Sequence, residues 1–124
     1  MANATKLTAL SRASLLAAIG QIKVEPIDIP ELNGTVYVKG MTAGEREAFE
    51  QDMNGEDFVK SGKVRATVFV NSVTDENGNL LFTADDIDDI NKLPSSVVIK
   101  VFEKSNKMNG INTQQAIEQA EKNS

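Results

Sequence analysis

The chain has 124 residues, of which 40% are hydrophobic and 25% charged, and its formal net charge is -5. It has no cysteine and no histidine, which excludes disulfides, thiolate nucleophiles, imidazole acid–base chemistry and the common zinc sites. The acidic balance argues against an electrostatic nucleic-acid binder and suits a protein that meets a protein partner.

The length is that of one domain spanning residues 1–124, with polar, flexible ends expected at about 1–6 and 111–124. A chain of this size buries roughly two thirds of its unfolded surface, enough for one core. Five Phe, one Tyr and no Trp leave that core to Val, Leu, Ile and Ala. The run "LLAAIG" lacks the basic flank and cleavage site of a signal peptide. No segment approaches the ~20 apolar residues of a membrane span. These features point to a cytoplasmic protein.

Taken in order, the first element is a short helix from Thr8 or Ser11 to Ile19. Leu10, Ala13 and Ala17, with Leu15, Leu16 and Ile19, recur at helical spacing, and Gly20 stops it. The period then changes to two. "KVEPIDIP" sets Val24, Ile27 and Ile29 among polar residues. "GTVYVKG" sets Val36 and Val38 on one side and Tyr37 on the other. Asn33-Gly34 between them marks a hairpin, because this pair tolerates positive φ at both central turn positions. Pro26 has no N–H and places its strand at a sheet edge or a bulge.

Thr42 and Glu45 make a capping box that opens a helix to about Met53, with Met41, Phe49 and Met53 on its inner side and Asn54-Gly55 at its end. Residues 63–74, "KVRATVFVNSVT", carry helical spacing in Val64, Val68, Phe69 and Val73 and β-branched content that fits a strand. "DENGN" is a turn and "LLF" a short extended piece. Thr83 caps a helix over "ADDIDDINKL", with Ile87 and Ile90 inward and Asp85 and Asp86 in the first turn, where the helix dipole favours them. A last amphipathic helix starts at Pro94, pairs Val97 with Val101 and Val98 with Phe102, continues its stripe to Met108 and stops at Gly110. The polar end holds at most a marginal helix capped by Thr113. The sum is an α+β chain: a mainly helical single domain of about four to five short helices with one antiparallel β-hairpin.

Three stretches invite a chemical reading. "DENGNLLFTADD", Asp75 to Asp86, has Asp75, Asn77 and Asn79 at the first, third and fifth positions of a calcium loop. The sixth position, which needs Gly for the sharp turn, is Leu80, the Gly falls early at Gly78, and the twelfth is the short Asp86. An architectural connector explains the stretch better. Asp85, Asp86, Asp88 and Asp89 offer paired carboxylates, with Asp85 and Asp89, and Asp86 and Asp89, on shared faces. Ile87 and Ile90 define the opposite, buried face, so the aspartates form a solvated or partner-facing surface. Arg46 and Glu50 are an i,i+4 surface pair worth about 0.2–0.5 kcal/mol. The glycines form no phosphate cradle, and the serines have no histidine to activate them. Catalytic and cofactor or metal sites are therefore not expected.

The order of these parts resembles the tail assembly chaperones of long-tailed phages and prophages. In that family a strand of the type V-Y-V-x-x-[LM]-T precedes a helix carrying E-R-x-x-F-E, and D-x-x-G-x-x-x-F precedes a short acidic helix capped by Thr. The corresponding positions are Val36, Tyr37, Val38, Met41, Thr42, Glu45, Arg46, Phe49 and Glu50, then Asp75, Gly78, Phe82 and Thr83. The resemblance spans roughly residues 7–122, and its specificity lies in order and spacing. It implies that residues 63–74 are helical and that the opening stretch is a connector, with Phe82 pinning it and Thr83 starting the next helix.

The resemblance implies a non-enzymatic protein of the host cytoplasm, absent from the mature virion. It would bind the tape-measure protein, keep that long apolar helical chain soluble, and help recruit tail tube protein subunits. It also implies that a frameshift-extended form can exist, with Glu121-Lys122-Asn123-Ser124 ending the short one, and that the chain can associate with itself through exposed hairpin edges. The motif positions read as structural, and they leave the partner-binding surface unassigned. The alternative is a small structural phage protein, a head–tail connector or tail component retained in the virion. A calcium loop at Asp75–Asp86 would raise thermal stability on binding by mass action. No shift of the melting midpoint is expected at millimolar calcium, and a calcium-dependent rise would reverse the architectural reading.

Overall fold

Residues 24–39 alternate apolar and polar side chains, and they form an antiparallel hairpin in the computed structural model, which describes residues 7–111. Strand β1 (Val24–Ile29) pairs with β2 (Gly34–Lys39) in a register running from Val24 opposite Lys39 to Ile29 opposite Gly34. The connection is longer than the Asn-Gly pair suggests. A single 3-10 turn at Pro30–Leu32 follows β1, Asn33 alone takes the left-handed conformation (φ 54°, ψ 43°), and Gly34 already belongs to β2. The pair marks the hairpin correctly but does not form a two-residue turn.

Pro26 lies in the edge strand, as its missing donor requires. The Gly40 N–H donates to the Lys23 carbonyl at 2.9 Å, which sets the alternation of bonded and non-bonded pairs along the hairpin. Pro26, opposite Tyr37, then falls in a non-bonded pair, with its nitrogen toward the open edge, where β2 asks for no donor.

Helix α1 (Arg12–Leu16) precedes the hairpin. Ser11 caps it through its hydroxyl, and Gly20 at φ +88° ends the turns that follow. Helix α2 (Ala43–Asn54) follows β2 and opens on the complete capping box of Thr42 and Glu45. Met41, Phe49 and Met53 lie on its inner side as expected, yet all three are only half-buried. A further single-turn helix, α3 (Glu56–Lys60), has no counterpart in the sequence reading. Five residues display too little of a 3.6-residue period to be seen.

Residues 63–74 resolve their ambiguity by dividing. Helix α4 (Val64–Ser72) takes most of them, and Val73–Thr74 become β3, pairing with Tyr37 and Val38 of β2. The hairpin is thereby a three-stranded sheet in the order β1-β2-β3. The acidic stretch opens as a 3-10 turn at Ala84–Asp86 before α5 (Ile87–Ile90), and α6 (Ser95–Met108) completes the described chain. The architecture is α+β, with six helices among the described residues. The helix expected from Thr113, the end at residues 1–6 and the last four residues lie outside the described residues.

The core is aliphatic. Ile29 and Val38 of the sheet meet Ala66, Phe69 and Val70 of α4, Val73, Ile90, and Val97, Val98 and Val101 of α6. Helix α6 packs against α4, β1 and β2 together, and the Arg65 guanidinium lies 5.5 Å from the centroid of the Phe102 ring across the α4–α6 seam. Among the described residues no helix is long and apolar enough to cross a membrane.

Two ion-pair straps tie the hairpin to α6. Lys104 reaches Glu25 at 2.9 Å, while Lys100 at 2.7 Å and the Ser96 hydroxyl at 2.7 Å both donate to Glu31. Lys100, helped by Glu31's own backbone N–H and Ser96, holds the Glu31 carboxyl at about 2, against an ordinary 4.5. A lowered acid contributes stability that is complete above its unfolded value and is lost as pH falls through its folded one. The thermal midpoint should therefore fall as pH drops from about 4.5 toward about 2, and Glu31→Gln should flatten that part of the curve, measured by circular dichroism melts across the range.

Candidate functional site

The positions singled out in the sequence gather at two junctions of the fold. The first is where β2 hands over to α2. Val38 is fully buried there, and Val36 and Tyr37 are half-buried. Thr42 Oγ1 accepts the Glu45 N–H at 3.1 Å, and Glu45 Oε1 accepts the Thr42 N–H at 2.8 Å. Lys39 Nζ adds a contact to Glu45 at 3.1 Å. Burial works to raise the Glu45 carboxyl, but the Thr42 N–H and Lys39 outweigh it and keep it below its ordinary value.

Arg46 does more than the surface pairing foreseen for it. Its Nε donates to Glu50 at 2.7 Å, as expected from their i,i+4 spacing. Its Nη1 donates to the backbone carbonyl of Asn109, just past the end of α6. A guanidinium at a helix C-terminus meets unsatisfied carbonyls and the negative end of the dipole. Asn109 completes the lock: its Oδ1 accepts the Met41 N–H at 2.7 Å, and its Nδ2 donates to the Ser105 carbonyl at 2.7 Å. One asparagine thus joins the start of α2 to the end of α6. Sequence reading missed it, because "MNG" registers only as a helix end, and its partner Met41 lies 68 residues away.

The second junction is the connector from Asp75 to Asp86. Asp75 Oδ1 accepts the N–H groups of Asn77 at 2.8 Å and Asn79 at 3.0 Å, and Oδ2 accepts the Asn79 side-chain amide at 3.3 Å. The Asn79 N–H leads the groups that lower the Asp75 carboxyl, against the opposing effect of desolvation. The carboxylate therefore organises its own turn, a common use of Asp in loops. Gly78 sits at φ +87°, and a Cβ there would meet Val24 Cγ2 at 3.3 Å, so both backbone and space favour glycine. Thr74 bridges to Leu80, and the Leu81 N–H donates to the Val73 carbonyl at 3.2 Å. Phe82 turns inward, its ring centroid 5.7 Å from that of Phe69. Thr83 accepts the Asp85 N–H while Asp86 accepts the Thr83 N–H at 2.8 Å, a second capping box.

The aspartates of the acidic stretch separate by task. Asp86 caps, Asp88 pairs with Lys63 at 3.1 Å, and Asp89 pairs with Lys92 at 3.5 Å, all three at the surface with α5. Among the described residues no group of three or more carboxylates is placed to hold a metal ion. The geometry at both junctions is that of a scaffold: it fixes where elements cross and leaves the outer faces for contact.

No protein-family model and no curated protein sequence matches the chain. Among solved structures, the fold is similar to that described as "Structure of bacteriophage HK97 tail assembly chaperone", with a TM-score of 0.58, covering 79% of this chain and 98% of that one at 12% sequence identity. At that identity the likeness is one of fold.

Replacing Asn109 tests the first junction. Asn109→Ala removes the acceptor from the Met41 N–H, and a part-buried donor left unpaired costs about 1–3 kcal/mol. Urea denaturation should show a lower midpoint with an unchanged slope. An unchanged midpoint would show that the α2–α6 contact carries no stability.

Proposed function

We propose that this protein is a phage or prophage tail assembly chaperone. It acts in the cytoplasm of the bacterial host by binding the tape-measure protein, keeping it soluble and helping recruit tail tube subunits around it. The observation that carries the reading is the likeness of fold to the HK97 tail assembly chaperone, which spans nearly the whole of that chain. The order of sequence motifs supports the same reading on separate grounds. The role is non-enzymatic, and it gives the junction residues a structural task, since each holds a crossing of elements.

The physical task is one of cover. A tape-measure protein is a long helical chain that exposes apolar surface until the tube encloses it. A small acidic protein that lays apolar residues on such a client presents its own charge outward, and net charge opposes unwanted association. A chaperone of this kind leaves once the tube has formed and is absent from the finished particle.

Co-expression with the long, helix-rich open reading frame encoded nearby tests this directly. The client should be insoluble alone, soluble with this protein, and captured with it in a pull-down, while mass spectrometry of purified particles should lack this chain. A client that stays insoluble and unbound, together with this chain in the particles, would establish a structural tail or connector protein instead.

A further inference from the structure

The described N-terminal segment leaves the body of the protein uncovered. Every residue from 7 to 21 is exposed, including Leu7, Leu10, Leu15, Leu16 and Ile19, whose exposure runs from 46% at Leu16 to 90% at Leu7. Leu15, Leu16 and Ile19 share one side of α1 and the turns that continue it, because Ala17, Ala18 and Ile19 donate back to Ala13, Leu15 and Leu16. A run of five large apolar side chains that packs on nothing in its own chain marks an interaction surface.

The charge of this segment is opposite to that of the rest. The first 24 residues hold three of the thirteen basic residues, Lys6, Arg12 and Lys23, and none of the eighteen acidic ones. The remainder therefore carries ten basic against eighteen acidic residues, a net charge of -8. The arm is a basic, apolar segment on an acidic body.

That body presents a face of matching character. On the connector, Leu80 and Leu81 are 49% and 56% exposed, although their backbone is held against β3. The stretch 75–89 around them contains six acidic residues and no basic one. Lys63 and Lys92 neutralise Asp88 and Asp89, which leaves four negative charges about the two leucines.

We infer that the N-terminal arm of one copy docks on the acidic, leucine-bearing connector of a second copy, and that two copies exchange arms reciprocally. Charge complementarity selects the occupant: the surface that this arm fits lies on the protein itself. The root of the arm is also in place for exchange. Val24 touches Gly78 of the connector, so each arm leaves its own chain beside the face that receives its partner's arm. Gly20, at φ +88° with open space about it, supplies the hinge. Reciprocal exchange closes the pair around a two-fold axis and leaves no arm unfilled. The open edge of β1 is a weaker contact, since Pro26 removes a donor from it. The inference goes beyond the chaperone reading and does not rest on it, because the test contains no client.

Sedimentation velocity on the full chain should show a concentration-dependent dimer that weakens as salt rises, since exposed charges are screened. The double variant Leu15→Asp, Leu16→Asp and the single variant Leu81→Asp should each lose the dimer with unchanged circular dichroism, because none of these side chains is buried. Arg12→Glu and Asp85→Lys should each weaken it, and an equimolar mixture of those two variants should restore dimer by forming the hetero-pair. Three outcomes overturn the inference. The wild-type chain could stay monomeric at all concentrations. Association could be indifferent to the arm variants. Or the arm variants could lose only capture of the tape-measure protein, which would assign the arm to the client instead.

Discussion

Helix α6 is the constraint on which the rest of the structure depends. It is the one described element that packs on the sheet and on α4 together, and its buried side consists of Val97, Val98 and Val101. Valines are short and stiff, so backbones must approach closely before such side chains fill space at interior density. The chain has few aromatic residues to bridge a wider gap. Close approach then makes alignment critical. Polar groups at the margin of the contact hold that alignment: Lys100 and Lys104 fasten the helix to Glu31 and Glu25 along one flank, and Asn109 and Arg46 fasten its far end to α2. Beyond Val101 the buried side turns polar at Ser105 and Asn106, next to the Asn109 lock.

Features written in a few neighbouring residues were legible from the sequence. Both capping boxes are of this kind, because each is completed within four residues. So are the hairpin, the stop at Gly20 and the buried stripe of α6. What stayed hidden depends on residues far apart in the chain. The helix reading of 63–74 runs two residues too far, since Val73 and Thr74 become a strand only because β2 lies open beside them. Arg46 showed its partner four residues away and concealed the carbonyl 63 residues away. At the candidate site, the residues named from the sequence fall at the junctions, but Asn109, which organises one of them, carries no local signal beyond a polar residue before a glycine.

The connector illustrates how one composition serves different ends. Asp and Asn at alternate positions would hold a cation only if a glycine placed their oxygens around one centre. Here the glycine comes two positions early, the chain folds into a tight turn, and the Asp75 oxygens are occupied by N–H groups of the same turn. Of its three consecutive apolar residues, only Phe82 enters the core. The two leucines outside are held by backbone bonds at both ends, so their exposure is a property of a firm surface rather than of a loose loop.

The Asn109 lock has a mechanical consequence. The chain beyond Ile111 leaves the body at the corner where the end of α6, the end of β2 and the start of α2 meet, with the Ile111 N–H held to the Asn106 carbonyl at 2.7 Å. Tension applied to that part of the chain is borne first by a small set of hydrogen bonds loaded side by side, those of Ile111, Asn109 and Arg46. The valine interior is shielded from the pull until they part. The corner acts as a strain relief, like the clamp where a cable enters a housing.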